Sequence, residues 1–299
     1  MQICSLLPSA TEILYALDLG DSVAGVTFEC DYPPAARNKP IIVDSVLAHD
    51  LSPSEIDREV TEYAAHGDSI YRIHRGLLQS IAPDLIVTQE LCDVCAVSTS
   101  HLAKALYGLE SQPEVLSLTP HTLDDVFADI EAVGRAAGCE QKARDLVASL
   151  RERVEMVRTK PKRESPKVAC LEWLAPPFNA GHWVPEMIDI AGGIDRLGAL
   201  GKDSTRIEWE QVRALEPDVI LVMPCGYNAQ AAADEYRRTE FPAWWSSLPA
   251  VRSSRVYAVN ATAYFSRPGP RLVEGVEIAY ALLQQDFSAL LPEGAWLQL

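Results

Sequence analysis

Two periods of apolar residues run along this chain. Short, mostly apolar stretches at 3–7, 23–27, 84–88, 115–118, 167–171, 218–223 and 256–259 predict buried strands. Segments with apolar residues three and four apart predict helices at 54–65, 72–81, 122–137, 140–158, 184–191, 209–215, 241–248 and 269–284, with a further one starting near Ser98. Pro8-Ser9-Ala10-Thr11-Glu12 opens another helix ending near Gly20, with Ser9 and Glu12 at capping-box spacing. The segments 28–34, 89–95 and 173–183 read as loops, the first because Pro33-Pro34 excludes helix. The helix at 140–158 organises the rest. Ala143, Leu146, Val147, Leu150, Val154 and Val157 form one stripe, and Lys142, Arg144, Asp145, Arg151, Glu152, Arg153 and Glu155 occupy the other faces. Gly138 stops the helix before it and Pro161 breaks the chain after it. At 1.5 Å per residue it spans roughly 28 Å, the width of a small domain.

The order of elements on its two sides is similar. Leu78-Gln79-Ser80-Ile81-Ala82-Pro83-Asp84-Leu85-Ile86-Val87 finds an echo in Val212-Arg213-Ala214-Leu215-Glu216-Pro217-Asp218-Val219-Ile220-Leu221. Each is a helix end, a Pro-Asp turn and a buried strand, and such alternation builds parallel α/β sheets. The expected architecture is α/β: an N-terminal lobe at 1–138 with an insertion near 51–76, a bridging helix at 139–160, and a C-terminal lobe at 161–299. Ligands of open α/β sheets sit beyond the carboxyl ends of strands. Those ends are the loops 89–95 and 224–227, expected to face one cleft between the lobes.

The 299 residues suit two domains, and 48% apolar content can fill their cores. A net charge of −16 argues against nucleic acid as partner. The basic group Arg158, Lys160, Lys162 and Arg163 sits at a helix end, where cations suit the dipole. No apolar run approaches the roughly 18 residues of a membrane span. No secretion signal is visible, so the seven cysteines are expected to be reduced and the location cytoplasmic. A periplasmic or surface location is the alternative if a signal had been trimmed away.

Several motifs together resemble the helical-backbone (class III) periplasmic substrate-binding proteins of ABC importers, in particular the cobalamin-binding branch. They are Leu7-Pro8-Ser9-Ala10-Thr11-Glu12, Asp31-Tyr32-Pro33-Pro34, Pro83-Asp84-Leu85-Ile86-Val87, Pro176-Pro177-Phe178 with Gly181, and Gly192-Gly193. Pro217-Asp218-Val219-Ile220, Arg255-Val256-Tyr257-Ala258-Val259 and Ser266-Arg267-Pro268-Gly269-Pro270-Arg271 complete the set. The resemblance implies two Rossmann-like lobes with mostly parallel sheets joined by one long backbone helix. It also implies a cobalamin-like tetrapyrrole as ligand, with haem or an iron-siderophore as rivals, and an ABC permease as partner. No matched acidic pair of the kind importers dock onto permease arginines can be placed. The insertion and the loop 89–95 depart from the family pattern.

A corrin is a broad, largely apolar disc, so aromatic side chains in loops are the first candidates for its faces: Tyr32, Phe178, Trp183, Trp209, Tyr227, Tyr264 and Phe265. Tyr32 and Phe178 also lie within family motifs. Glu90, His182 and Arg267 are the polar candidates. Cys92 and Cys95 form a Cys-x-x-Cys pair with four readings. They could be half of a zinc site completed by His101 or Cys225, a redox dithiol, a soft ligand near cobalt or iron, or small buried packing residues. Direct zinc or iron binding through this loop is the second functional reading. An enzyme processing a corrinoid or metal chelate is the third. His-Glu-x-x-His and Gly-x-Ser-x-Gly are absent, and Gly198-Ala199-Leu200-Gly201-Lys202-Asp203 lacks the glycine and hydroxyl residue of a phosphate loop. The expectation is a binding protein and not an enzyme.

Overall fold

A computed structural model describes residues 1–47, 51, 53–66, 69–89, 99–107 and 112–299. The chain divides into two compact units. The first comprises Met1–Pro120 and Asp124–Ala148, the second His121–Leu123 and Ser149–Leu299.

In the first unit, β1 (Ile3–Ser5), β2 (Val23–Thr27), β3 (Ile41–Ser45), β4 (Tyr71–Ile73), β5 (Leu85–Gln89) and β6 (Glu114–Leu118) form one sheet in the order β4-β3-β2-β1-β5-β6. Every pairing is parallel except β3 with β4. Its helices are α1 (Pro8–Ala16), α2 (Pro53–His66), α3 (Arg75–Ile81), α4 (Thr99–Leu106) and α5 (Leu123–Ala136). Cys4, Leu6, Ile42, Val43, Leu78, Ile86 and Leu102 pack as its core. Two expectations need correction. The segment 72–81 is not all helix, because Tyr71 and Ile73 pair with Ser45 and Val43 before α3 begins. The Ser9 capping box does not form either. Pro8 takes the first helical turn, Leu7 is the cap residue, and the buried Ser9 hydroxyl makes no hydrogen bond.

α6 (Glu140–Thr159) runs unbroken from residues of the first unit into residues of the second. Ala143, Val147, Leu150, Val154 and Val157 of its stripe are buried, as the periodicity requires. At its start, Gly134 of α5 lies so close to Ala143 that a Cβ there would stand 2.4 Å from the alanine Cβ.

The second unit is also built on a six-stranded sheet. β7 (Lys167–Leu174), β8 (Pro177–Asn179), β10 (Val219–Val222), β11 (Val256–Val259) and β12 (Trp296–Gln298) run in the order β12-β11-β10-β7-β8, with β9 (Ile194–Asp195) also on β7. The central pairs are parallel, while β8 and β12 are antiparallel additions. Its helices are α7 (Val184–Ile190), α8 (Trp209–Leu215), α9 (Ala229–Arg238), α10 (Pro249–Arg252), α11 (Ala261–Tyr264) and α12 (Leu272–Gln284). Part of the expected loop 173–183 is instead a hairpin, in which Leu171 faces Asn179 and Leu174 faces Pro177 across a cis Ala175-Pro176 bond. The expected helix at 241–248 shrinks to a single 3-10 turn, Trp245–Ser247.

The repeated phrase has the same structural task in both units. Ala82 and Glu216 adopt left-handed conformations, φ 47° and 49°, closing α3 and α8. Two residues later Asp84 accepts a hydrogen bond from the Gln2 N–H at 2.7 Å, and Asp218 accepts one from the Lys167 N–H at 2.9 Å. In return the Asp84 and Asp218 N–H groups donate to the Gln2 and Lys167 carbonyls. Each aspartate thereby pins the entry of one strand to its neighbour. The registers agree too, since Ile3 stands opposite Leu85 and Val168 opposite Val219.

Candidate functional site

In the first unit, the carboxyl ends of β1 and β2 are fixed by a buried polar chain. Ser5 Oγ donates to the Leu7 carbonyl at 2.9 Å, Thr11 Oγ1 donates to Ser5 Oγ at 2.8 Å, and Cys30 Sγ lies 3.1 Å from Thr11 Oγ1. Two residues beyond Cys30 stands Tyr32, which precedes a cis bond to Pro33 and is 44% exposed. It stands in the loop after β2, and aromatic residues there are candidates for contact with a broad apolar ligand. Glu90, Cys92 and Cys95 lie outside the described residues, as does the side chain of His101.

In the second unit, the ends of β7 and β10 carry a second aromatic group. Trp173 and Tyr227 meet edge to face with centroids 5.8 Å apart. The Cys225 N–H donates to the Glu172 carbonyl at 3.3 Å and the Thr262 N–H to the Tyr227 carbonyl at 3.2 Å, so the 224–227 turn is tied to both β7 and α11. Trp173 was not singled out from the sequence, although its place beside Pro176-Pro177-Phe178 was the available signal. Phe178 is half-buried on β8 and bridges to Arg206. Arg267 is half-buried in the turn before α12, where its carbonyl accepts from the Gly269 N–H. Cys225 is exposed.

Other aromatic candidates are engaged in packing. Trp183 and Phe265 are buried, and the indole N–H of Trp183 donates to the Phe265 carbonyl at 2.7 Å. Tyr264 is buried beneath the Arg271 guanidinium. Trp209 belongs to a cluster with Phe241 and Trp245, each 5.3 Å from its ring. The structure thus brings Tyr227 beside Trp173, and Tyr227 and Trp209, both half-buried, pack against the same core cluster.

His182 lies in a tight loop at φ 53°. Its N–H donates to the Lys202 carbonyl at 2.6 Å, and the Gly201 N–H donates back to its carbonyl at 3.0 Å. The segment 198–203 therefore serves as a clamp for this histidine. Gly181 is required beside it, because a Cβ would stand 2.3 Å from the Ser204 nitrogen. His182 Nε2 is 3.3 Å from Asp203 Oδ1, and its ring stacks on His121 with centroids 5.9 Å apart. Burial holds the His182 pKa below its usual value; Asp203 works against that shift and His121 with it. Neither His121 nor Asp203 is distinguished by any sequence motif.

Beneath this loop lies an acidic group. Burial pushes the Glu172 carboxyl up to about 7, against hydrogen bonds from Ser204 and the Gly181 N–H. Burial also raises Asp195, whose carboxylate accepts from the Leu197 and Gly198 N–H groups at 2.8 and 3.2 Å. The fully enclosed Cys170 thiol is held well above its ordinary range, which leaves it without thiolate reactivity.

Residues 3–263 match the family described as periplasmic binding protein, and the chain belongs to that family. It is 29% identical over 287 residues to an uncharacterised ABC transporter substrate-binding lipoprotein of Bacillus subtilis, covering 92% of this chain and 77% of the relative. It is 25% identical over 286 residues to the vitamin B12-binding protein of Vibrio cholerae, covering 92% and 86%. The crystal structure of the periplasmic vitamin B12 binding protein of Vibrio cholerae aligns with a TM-score of 0.66 over 95% of this chain and 96% of that one. The apo periplasmic heme-binding protein of Roseiflexus aligns with a TM-score of 0.69 at 22% identity, over 94% and 97%, and shares the fold. These findings correct the expectation of a cytoplasmic location, since the family is periplasmic and the Bacillus relative is a lipoprotein. Among the described residues no helix is long and apolar enough to cross a membrane.

Proposed function

We propose that the chain is the binding component for a corrinoid of the cobalamin type and that it passes this ligand to an ABC permease. The observation that carries the reading is the similarity to the Vibrio cholerae vitamin B12-binding protein across 92% of the chain. The exposed Tyr32 in the loop after β2 and the Trp173–Tyr227 pair at the ends of β7 and β10 support it, because α/β sheets receive ligands beyond the carboxyl ends of their strands. Phe178 and Arg267 are the further candidates, for the disc face and for amide or phosphate groups at its edge. Binding here means coverage of apolar faces with polar selection at the rim, and no bond is made or broken.

The test is absorbance and calorimetric titration of the metal-free protein with hydroxocobalamin, with haem as comparison. Saturable one-to-one binding of cobalamin, weakened about tenfold or more by Tyr32→Ala or Tyr227→Ala, is the expected result. Binding of haem but not cobalamin would move the assignment to porphyrins. Binding of neither would overturn it.

A further inference from the structure

We propose that His121, His182 and Asp203 form a binding site for a divalent transition metal of the zinc class. This inference is independent of the corrinoid reading. One ligand atom from each of the three residues lies within 4.8 Å of the others, with both histidines half-buried and Asp203 exposed. Four-coordinate zinc places ligands about 2.0–2.2 Å from the ion and hence about 3.3–3.6 Å from one another, so side-chain rotation must draw the three atoms together by about 1 Å. Two imidazoles and one carboxylate are donors suited to zinc, and cobalt(II) follows it into such sites. Three protein ligands leave a fourth position for water or for a donor atom of another molecule.

The backbone holds the ligands before any metal arrives. His182 is clamped by hydrogen bonds in both directions with residues 201 and 202, one residue from Asp203. His121 is two residues from Leu123, whose N–H donates to the Glu186 carboxylate of α7 at 3.0 Å. α7 begins two residues after His182, so the backbone segments that carry both histidines are tied to the same short helix. Such positioning lowers the ordering cost of binding. The two imidazoles are neighbours, with centroids 5.9 Å apart, and Asp203 Oδ1 stands 3.3 Å from His182 Nε2.

The test is titration of the full chain with Zn²⁺ by calorimetry and with Co²⁺ by visible absorbance. The variants are His121→Ala, His182→Asn and Asp203→Asn. Asparagine is chosen at 182 because it tolerates the left-handed backbone. We expect one metal per chain and a four-coordinate Co²⁺ spectrum without sulfur-to-metal charge transfer. Each histidine variant should bind at least about tenfold more weakly while its metal-free melting temperature stays near that of the parent. Should a histidine variant fail to fold, Asp203→Asn, at an exposed position, carries the same expectation. Unchanged affinity in the folded variants, a thiolate charge-transfer band showing the metal on cysteines, or no saturable uptake would each overturn the site.

Discussion

Asp129, on α5, shows how a single side chain can set the pH response of the protein. Burial, with Asp125 adding to it, pushes its carboxyl up to about 7, and its Oδ2 atom is buried with no hydrogen-bond partner. Glu172 is raised to about 7 in the other unit. Both native values lie above those of the unfolded chain, so the native state holds more protons between about pH 4 and 7. Stability is therefore greatest at the acid end of that window and falls as pH rises through 7. We expect the melting temperature to decline from pH 5 to pH 8. Asp129→Asn should raise it at both pH values and by more at pH 8 than at pH 5; parallel melting curves for variant and parent across the range would refute this. At this scale the sequence speaks only in part. It marked Tyr32, Tyr227 and His182 as loop residues, but residue type alone does not say whether an aromatic ring faces solvent. Trp183 and Phe265 turned inward and share a hydrogen bond. Ser9 reads as a cap, yet Pro8 at the first helical position moves the helix start two residues earlier, with Leu7 as cap. Glu90, Cys92 and Cys95 lie outside the described residues.

Elements were more legible, because periodicity is a property of many residues at once. The 140–158 stripe became α6 at 140–159, and the two Pro-Asp phrases became matched strand entries. Those aspartates allow a paired comparison. Asp218→Asn should cost about 1 kcal/mol, the net worth of an ordinary hydrogen bond with some charge assistance. Asp84→Asn should cost less, since its carboxylate is 60% exposed and solvent screens it. Urea denaturation of both variants measures the difference, and an equal or reversed ranking would contradict the argument. Several elements that escaped detection were short or depended on partners, and β3, five residues long, escaped it too. β4 and β12 are three-residue edge strands that exist only by antiparallel pairing with β3 and β11. β8 needed the cis turn at Pro176 to fold back on β7. α9 is rich in alanine, so its buried face of Ala229, Ala232 and Ala233 gives little hydrophobic contrast, and its clearest signal is the Asn228 cap, which accepts from the Ala231 N–H.

For the molecule as a whole, the order of weak motifs identified the family, and the −16 charge pointed away from nucleic acid. The location was misread because the visible start of a sequence says little about where its product resides. The His121–His182–Asp203 group was invisible for a different reason: its members are 61 and 21 residues apart along the chain and meet only through folding. The units share that property. The chain enters the second unit at His121, returns to the first at Asp124, and enters the second again at Ser149. No single cut separates them. A fragment beginning at Ser149 would lack His121, one of the three proposed ligands, together with Leu123, whose N–H meets the Glu186 carboxylate, and should take up zinc more weakly than the whole chain even when folded. The same holds for hybrids of two relatives joined at that point. His182 and Asp203 would come from one parent and residue 121 from the other, so in any lineage that uses this group the three positions must be inherited as one.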